Sequence, residues 1–307
     1  MRTHRRSRPA AGELPTQLAE LGNGVVEFRL EPGGPRTVVV FYGGHMRAGL
    51  ALGEQMWADA DCSLLVPSRP GYGRTPVTTG GTASDFADVT AELCAHLGIT
   101  EVTAVVGISG GGPTAVAMAA RHPALGQRLI LESAVGPMPW PDRRTNLGAR
   151  AVFAPWTEGM SWAVVHALVR YAPDVALRLL LRDLTTLSVR EVVARLRPEQ
   201  REELLILFSR MRSGRGFLND IADLTAGPDL RLLLAEVAQP SLVIASRQDR
   251  AVPFAHAQEL TAALGRAVLV ESRADSHLVW FADDWPAIAS RVRDFLGLGR
   301  PDEGDQQ

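Results

Sequence analysis

The chain has 307 residues, 46% hydrophobic and 21% charged, with a formal net charge of -2; this composition can bury a sizeable core and lacks the basic excess of a nucleic-acid-binding surface. All 32 of its Lys+Arg residues are arginine, which excludes Schiff-base chemistry on lysine, a Ser-Lys catalytic pair and a Walker-type phosphate loop. Cys62 and Cys94 are its two cysteines, too few for a disulfide scaffold or a four-cysteine zinc site.

Residues 1–15 carry Arg2, Arg5, Arg6 and Arg8 and then run into Ala-Ala-Gly. Without a hydrophobic segment they read as a flexible basic tail and not as a secretory signal. Residues 25–30 (Val-Val-Glu-Phe-Arg-Leu) alternate apolar and polar side chains, the pattern of a half-exposed antiparallel edge strand. Six short apolar runs follow without polar alternation, at 37–41, 63–66, 102–106, 128–131, 241–245 and 267–270. Such runs are expected of parallel strands buried on both faces. Helical patterns lie between them. Residues 84–97 place Phe86, Val89, Leu93 and Leu97 on one face, with Ser84 as the expected N-cap. Residues 113–121, 254–264 and 285–296 follow later strands. This alternation predicts an α/β sheet flanked by helices.

The alternation breaks over 136–234, which shows no buried strand by periodicity. Helices are expected there at 160–171, 174–181, 188–196 and 199–211, with breaks at Pro155, Pro173, Pro198 and Pro228. The expected organisation is a core of 16–135 and 235–298, a helical lid at 136–234, and a second flexible tail at 299–307. No apolar run approaches a membrane span. A cytoplasmic location is the expectation, with a small-molecule substrate and neither nucleic acid nor membrane as partner.

The strongest chemical signal is Gly107-Ile108-Ser109-Gly110-Gly111, between a buried strand and an alanine-rich helix. A sharp strand-to-helix turn strains its central residue, lifts that side chain above the sheet and demands small flanking residues. A serine needs a base, and His277 lies just beyond the last strand. The other candidates are less well placed: His4 is in the tail, His166 in the lid, and His96, His122 and His256 belong to helices. The base needs an orienting carboxylate. Asp249, after the penultimate strand, gives the order Ser109, Asp249, His277. Glu132, at the end of 128–131, and Asp275 are the alternatives. Two donors are required for the oxyanion of a tetrahedral intermediate. The backbone N–H of Gly110 is the first. The loop Tyr42-Gly43-Gly44-His45-Met46 offers Gly44 as the second, with His45 next.

These motifs resemble the α/β-hydrolase superfamily, in its group of lidded bacterial serine hydrolases. Tyr42-Gly43-Gly44 resembles the family's His-Gly-x oxyanion loop, and Ser68-Arg69-Pro70-Gly71-Tyr72-Gly73-Arg74-Thr75 is similar to its Arg-Pro-Gly-Tyr-Gly-x-Ser turn. Gly107 to Gly111 matches the nucleophile elbow, and Asp249 and His277 occupy the acid and base slots. The resemblance covers about 25–298. It implies a mostly parallel eight-stranded sheet flanked by helices, with strand 2 antiparallel and a helical lid inserted after strand 6. Tyr42 departs from the family's histidine, which bears on the shape of the loop. Relatives that open epoxides or remove halides use an aspartate nucleophile, and Ser109 argues against both reactions.

The implied activity is hydrolysis of a carboxylic ester of a small or medium, largely apolar substrate through an acyl-enzyme, with no metal or organic cofactor. The alternative is carbon-carbon bond hydrolysis of a ring-cleavage product with the same residues, and a third reading is a non-catalytic ligand receptor. His45, Met138, Trp140 and Trp156 are candidate pocket residues, and Trp162, Tyr171 and Met160 belong to the same apolar set. Arg69 and Arg74 invite a substrate-carboxylate role, but the favoured expectation is that they fix the Pro70–Gly73 turn through surface salt bridges.

Overall fold

A computed structural model describes residues 13–141, 148, 151–154, 156–226 and 230–298. The expected tails at 1–15 and 299–307 lie outside the described residues, apart from 13–15. Eight strands form one sheet in the order β1-β2-β4-β3-β5-β6-β7-β8. They are β1 (Gln17–Leu21), β2 (Gly24–Glu31), β3 (Arg36–Phe41), β4 (Cys62–Pro67), β5 (Ala104–Ile108), β6 (Leu129–Glu132), β7 (Ser241–Ser246) and β8 (Ala267–Ser272). β2 runs antiparallel to both neighbours, and β3 to β8 are mutually parallel.

Strand alternation sorts the core into two layers. Val38, Val40, Leu64, Val66, Val106 and Ile244 face one side. Val39, Phe41, Leu65, Val105, Leu131 and Val243 face the other. Both faces are apolar because helices cover both. Helix α1 (Gln55–Asp59) and α11 (Trp285–Phe295) cover the first; α2 (Ala83–His96), α3 (Gly112–Arg121) and α10 (Ala255–Ala263) cover the second.

Three local expectations are corrected. β1 is absent from the expected strands, although Gln17-Leu-Ala-Glu-Leu21 alternates and pairs with β2 across a Gly22-Asn23 turn, so β2, expected as the half-exposed edge, lies buried between β1 and β4. The run at 267–270 is no doubly buried strand: β8 is the sheet's far edge, and Val268 is 57% exposed there. Helix α2 is capped by Thr82 and not Ser84, because extended Thr82 places its side chain to accept from the Asp85 N–H at 3.1 Å.

Between β6 and β7 lies a helical insertion: α4 (Glu158–Tyr171), α5 (Pro173–Leu181), α6 (Val189–Arg195), α7 (Pro198–Phe208), α8 (Gly216–Ala226) and α9 (Leu230–Glu236). The first four match the periodicity, and Pro173 and Pro198 open helices at positions where a missing N–H costs nothing. The last two are not among the expected helices. The expected lid boundary at 234 falls inside α9, which packs on α3 and contributes Leu234 to the core. Among the described residues, no helix is long and apolar enough to cross a membrane.

Candidate active site

The site is built at the carboxyl edge of the sheet, where loops after β3, β4, β5, β6, β7 and β8 converge. Ser109 follows the last residue of β5 and takes φ 52. A non-glycine residue in this region carries about 1–3 kcal/mol of strain, held only where surrounding structure enforces it. The enforcement is close backbone packing: a methyl on Gly111 would sit 2.1 Å from the Phe41 carbonyl oxygen. On the facing loop, a methyl on Gly43 would sit 2.7 Å from Ser109 Cβ.

His277 Nδ1 lies 2.6 Å from Asp249 Oδ2, and the Asp249 side chain is wholly buried. The other carboxylate oxygen accepts the Val252 N–H at 2.8 Å. Asp249 therefore holds the imidazole with its proton on Nδ1, which leaves Nε2 as a proton acceptor. Neither alternative carboxylate partners His277. Glu132 Oε2 accepts from Trp280 Nε1 at 2.7 Å, and Asp275 pairs with Arg195 at 2.9 Å.

The segment after β6 ties the Ser109 and His277 loops together. Val135 N–H donates to the Ser109 carbonyl at 3.0 Å, and Ser133 Oγ donates to the His277 carbonyl at 2.9 Å. Among the described residues no hydrogen bond joins the Ser109 hydroxyl to the His277 ring. Gly110 and Gly44 approach each other, since a methyl on Gly110 would lie 3.8 Å from the Gly44 nitrogen.

Tyr42, the departure from the family pattern, is buried. It bonds to Glu54, which also pairs with Arg29 at 2.5 Å, and accepts the Leu52 N–H at 2.9 Å. The tyrosine thus anchors the loop base from beneath. Arg69 corrects the surface-turn expectation. It is buried, forms a bidentate pair with Asp220 of α8 at 2.5 and 2.8 Å, and donates from Nε to the Tyr42 carbonyl at 2.7 Å. Tyr72 donates to the same Asp220 at 2.6 Å. Arg74 does fix the turn, through Glu27 at 2.9 Å.

The apolar candidates divide. Trp140 donates to the Ala251 carbonyl at 2.7 Å and meets Phe217 edge-on. His45 packs with Phe153, Trp162 and Phe217. Met138 is half-buried on the same segment as Trp140. Trp156 is a correction: it is 82% exposed on the outer surface of the insertion, and Met160 and Tyr171 are exposed too. Their spacing is helical, but the stripe faces outward. No sequence motif marks Phe153, Ser213, Phe217 or Asp220, and only tertiary packing brings them to the loops. Among the described residues, no group of three His, Cys, Asp or Glu side chains is arranged to hold a metal ion.

A family model described as alpha/beta hydrolase fold matches residues 30–283. The chain belongs to this family. It is 29% identical over 276 residues to the uncharacterized hydrolase YcgS of Bacillus subtilis (strain 168), covering 89% of this chain and 95% of that protein. Among solved structures, an alpha/beta hydrolase fold protein from Nakamurella multipartita superposes with a TM-score of 0.79 at 24% identity, covering 92% of this chain and 99% of the other. The enol-lactonase from Burkholderia xenovorans LB400 (TM-score 0.63, 20% identity, 92% and 100% covered) shares the fold. So does a thermophilic esterase from Thermogutta terrifontis (TM-score 0.65, 20% identity, 92% and 98% covered).

Proposed function

We propose that this hydrolase is a serine esterase that cleaves a carboxylic ester of a small or medium, largely apolar substrate. The observation that carries the reading is the buried 2.6 Å contact between His277 and Asp249 at the same sheet edge as the strained Ser109. Ser109 Oγ attacks the ester carbonyl carbon as His277 Nε2 takes its proton. The N–H groups of Gly110 and Gly44 donate to the oxyanion. His277 then gives the proton to the departing alcohol oxygen, which leaves an acyl group on Ser109. Water attacks that acyl carbon with its proton passing to His277. The acid leaves, and the proton returns to Ser109 Oγ.

The aromatic side chains around His45, next to Gly44, support an apolar substrate. The insertion that supplies them serves as the lid. Ester cleavage is preferred to carbon-carbon bond hydrolysis because two solved relatives of this fold are an esterase and an enol-lactonase.

The test is a panel of p-nitrophenyl esters of graded acyl length, run beside diketones on wild type and Ser109→Ala, with fluorophosphonate labelling of both. Ester turnover and labelling that vanish together in Ser109→Ala are expected. Undiminished turnover in the variant overturns the reading, and labelling without turnover on any panel favours the receptor.

A further inference from the structure

The loop that carries Gly44 also carries an imidazole whose protons can be counted. His45 takes φ 65. Its ring packs against Phe217, Phe153 and Trp162 of the insertion, with centroids 4.4, 4.9 and 5.4 Å away. Phe217 also overlies Gly44, where an added methyl would meet its Cδ2 at 3.0 Å. This aromatic group therefore borders the position assigned above to the oxyanion.

His45 Nδ1 lies 2.8 Å from the hydroxyl oxygen of Ser213, which is fully buried. The same oxygen accepts the Trp162 indole N–H at 2.9 Å. An indole nitrogen only donates, so Trp162 fills an acceptor position on that oxygen. The Ser213 proton needs an acceptor of its own, and His45 Nδ1 is the one in reach among the described residues. A proton on Nδ1 would aim two donors at one oxygen and strand the buried hydroxyl proton. Nδ1 is therefore bare, and in a neutral imidazole the proton then sits on Nε2. Burial pushes the ring's pKa down to about 4, so it stays neutral well below pH 7. Nε2 has no hydrogen-bond partner among the described residues and is not a sealed buried atom. It is therefore at least partly accessible within an otherwise buried ring.

We propose that His45 Nε2–H is a fixed, uncharged donor that selects substrates carrying an uncharged acceptor oxygen on an apolar, ring-sized group seated against Phe153 and Phe217. A lone polar group on an apolar wall discriminates because a substrate that lacks the matching atom leaves it unpaired. A carboxylate is disfavoured, since the neutral ring offers no charge to offset its desolvation. As a statement about turnover this rests on the esterase reading; the tautomer does not.

Two measurements separate them. In protein labelled with 15N-histidine at pH 7, long-range proton–nitrogen spectra, with His45 assigned from His45→Phe, are expected to show a bare Nδ1 and a protonated Nε2. The opposite tautomer overturns the inference whatever the enzyme hydrolyses. The second measurement uses two ester pairs that contrast cyclohexane with tetrahydropyran, one pair with the ring in the acyl part and one with it in the alcohol. Wild type is expected to favour the oxygen-bearing member of at least one pair by about 10-fold in kcat/KM. That ratio should fall to about one in His45→Phe, persist in part in His45→Gln, and lie between in Ser213→Ala. No preference in either pair, or a ratio unchanged in His45→Phe, overturns the inference. If wild type hydrolyses no ester at all, the esterase reading fails. Calorimetry of cyclohexylmethanol against tetrahydropyran-4-methanol then decides the donor alone, with equal binding counting against it.

Discussion

Thr185, in the insertion between α5 and α6, forms an isolated antiparallel bridge with Asp249. Its hydroxyl donates to the Asp275 carbonyl at 2.5 Å, two residues before His277. The preceding Leu184 carbonyl accepts the His277 N–H at 2.8 Å, and Thr186 N–H donates to the Gln248 carbonyl at 3.0 Å. One short stretch of the insertion thus stitches the Asp249 loop to the His277 loop. Thr185→Val keeps the shape and removes the hydroxyl. It is expected to lower stability by about 1–2 kcal/mol. It should also lower kcat several-fold with KM little changed, because geometry and not substrate contact is lost. Urea unfolding and steady-state kinetics check both; an unchanged kcat removes the positioning role.

Asp249→Asn tests the pair more directly. The amide oxygen can still accept the Val252 N–H, so the fold should survive, while the imidazole loses the partner that fixes its proton on Nδ1. A fall in kcat of about 10³–10⁴ is expected. Activity within tenfold of wild type would mean that another carboxylate orients His277.

Arg69 and Asp220 are buried opposite charges, one on the loop after β4 and one on α8. Removing one partner strands the other, so Arg69→Met or Asp220→Asn is expected to cost about 3–5 kcal/mol. The double change Arg69→Met/Asp220→Leu should recover much of that stability. It should not recover turnover, because Arg69 Nε also holds the Tyr42 carbonyl at the root of the Gly43–Gly44 loop. Thermal unfolding and kcat for the three variants separate the effects; equal recovery of both argues against a link between Arg69 and the loop.

That Ser109, Asp249 and His277 share one sheet edge was legible because Ser109 directly follows β5 while Asp249 and His277 lie in the loops just after β7 and β8, and a parallel sheet delivers all its strand ends to one edge. The elbow was readable for a local reason: close packing permits only small residues beside Ser109. The partners that hold the site were not readable. Asp220 is 151 residues from Arg69 and Ser213 is 168 from His45, and nothing in an amphipathic helical pattern says which polar residue turns inward. β1 is a different case. Its alternation and its Gly-Asn turn were present, but a five-residue edge strand yields a weak periodic signal.

Trp156 and Trp140 make a sharp contrast. Both are tryptophans near the start of the insertion, yet Trp156 is 82% exposed while Trp140 is tied to the Ala251 carbonyl beside the Asp249 loop. Trp156→Ser is expected to change stability by less than about 0.5 kcal/mol and to leave kcat/KM on p-nitrophenyl esters within twofold. Trp140→Ser should lower both stability and kcat/KM, since it removes a packed ring and the bond to Ala251. A large loss of activity in Trp156→Ser would place that side chain over the substrate during turnover.

Glu132 closes β6 as a buried carboxyl, and burial pushes its pKa up to about 7 against the opposing hydrogen bond from Trp280. The unfolded chain releases this proton near pH 4.5, so between pH 4.5 and 7 the folded state binds more protons than the unfolded one. Stability from this group is therefore full below about pH 4.5, declines through that window and levels off above pH 7. The integrated loss is about 3 kcal/mol. In Glu132→Gln the amide oxygen could still accept from Trp280, and the side chain would carry no charge at any pH. The variant should thus match wild type within a constant offset at pH 5, and its relative stability should grow by about 2–3 kcal/mol by pH 8. Urea unfolding of both proteins at half-unit steps measures the difference. Parallel curves across that range would mean that Glu132 is ionised in the folded protein, and that the buried carboxylate finds compensation beyond Trp280.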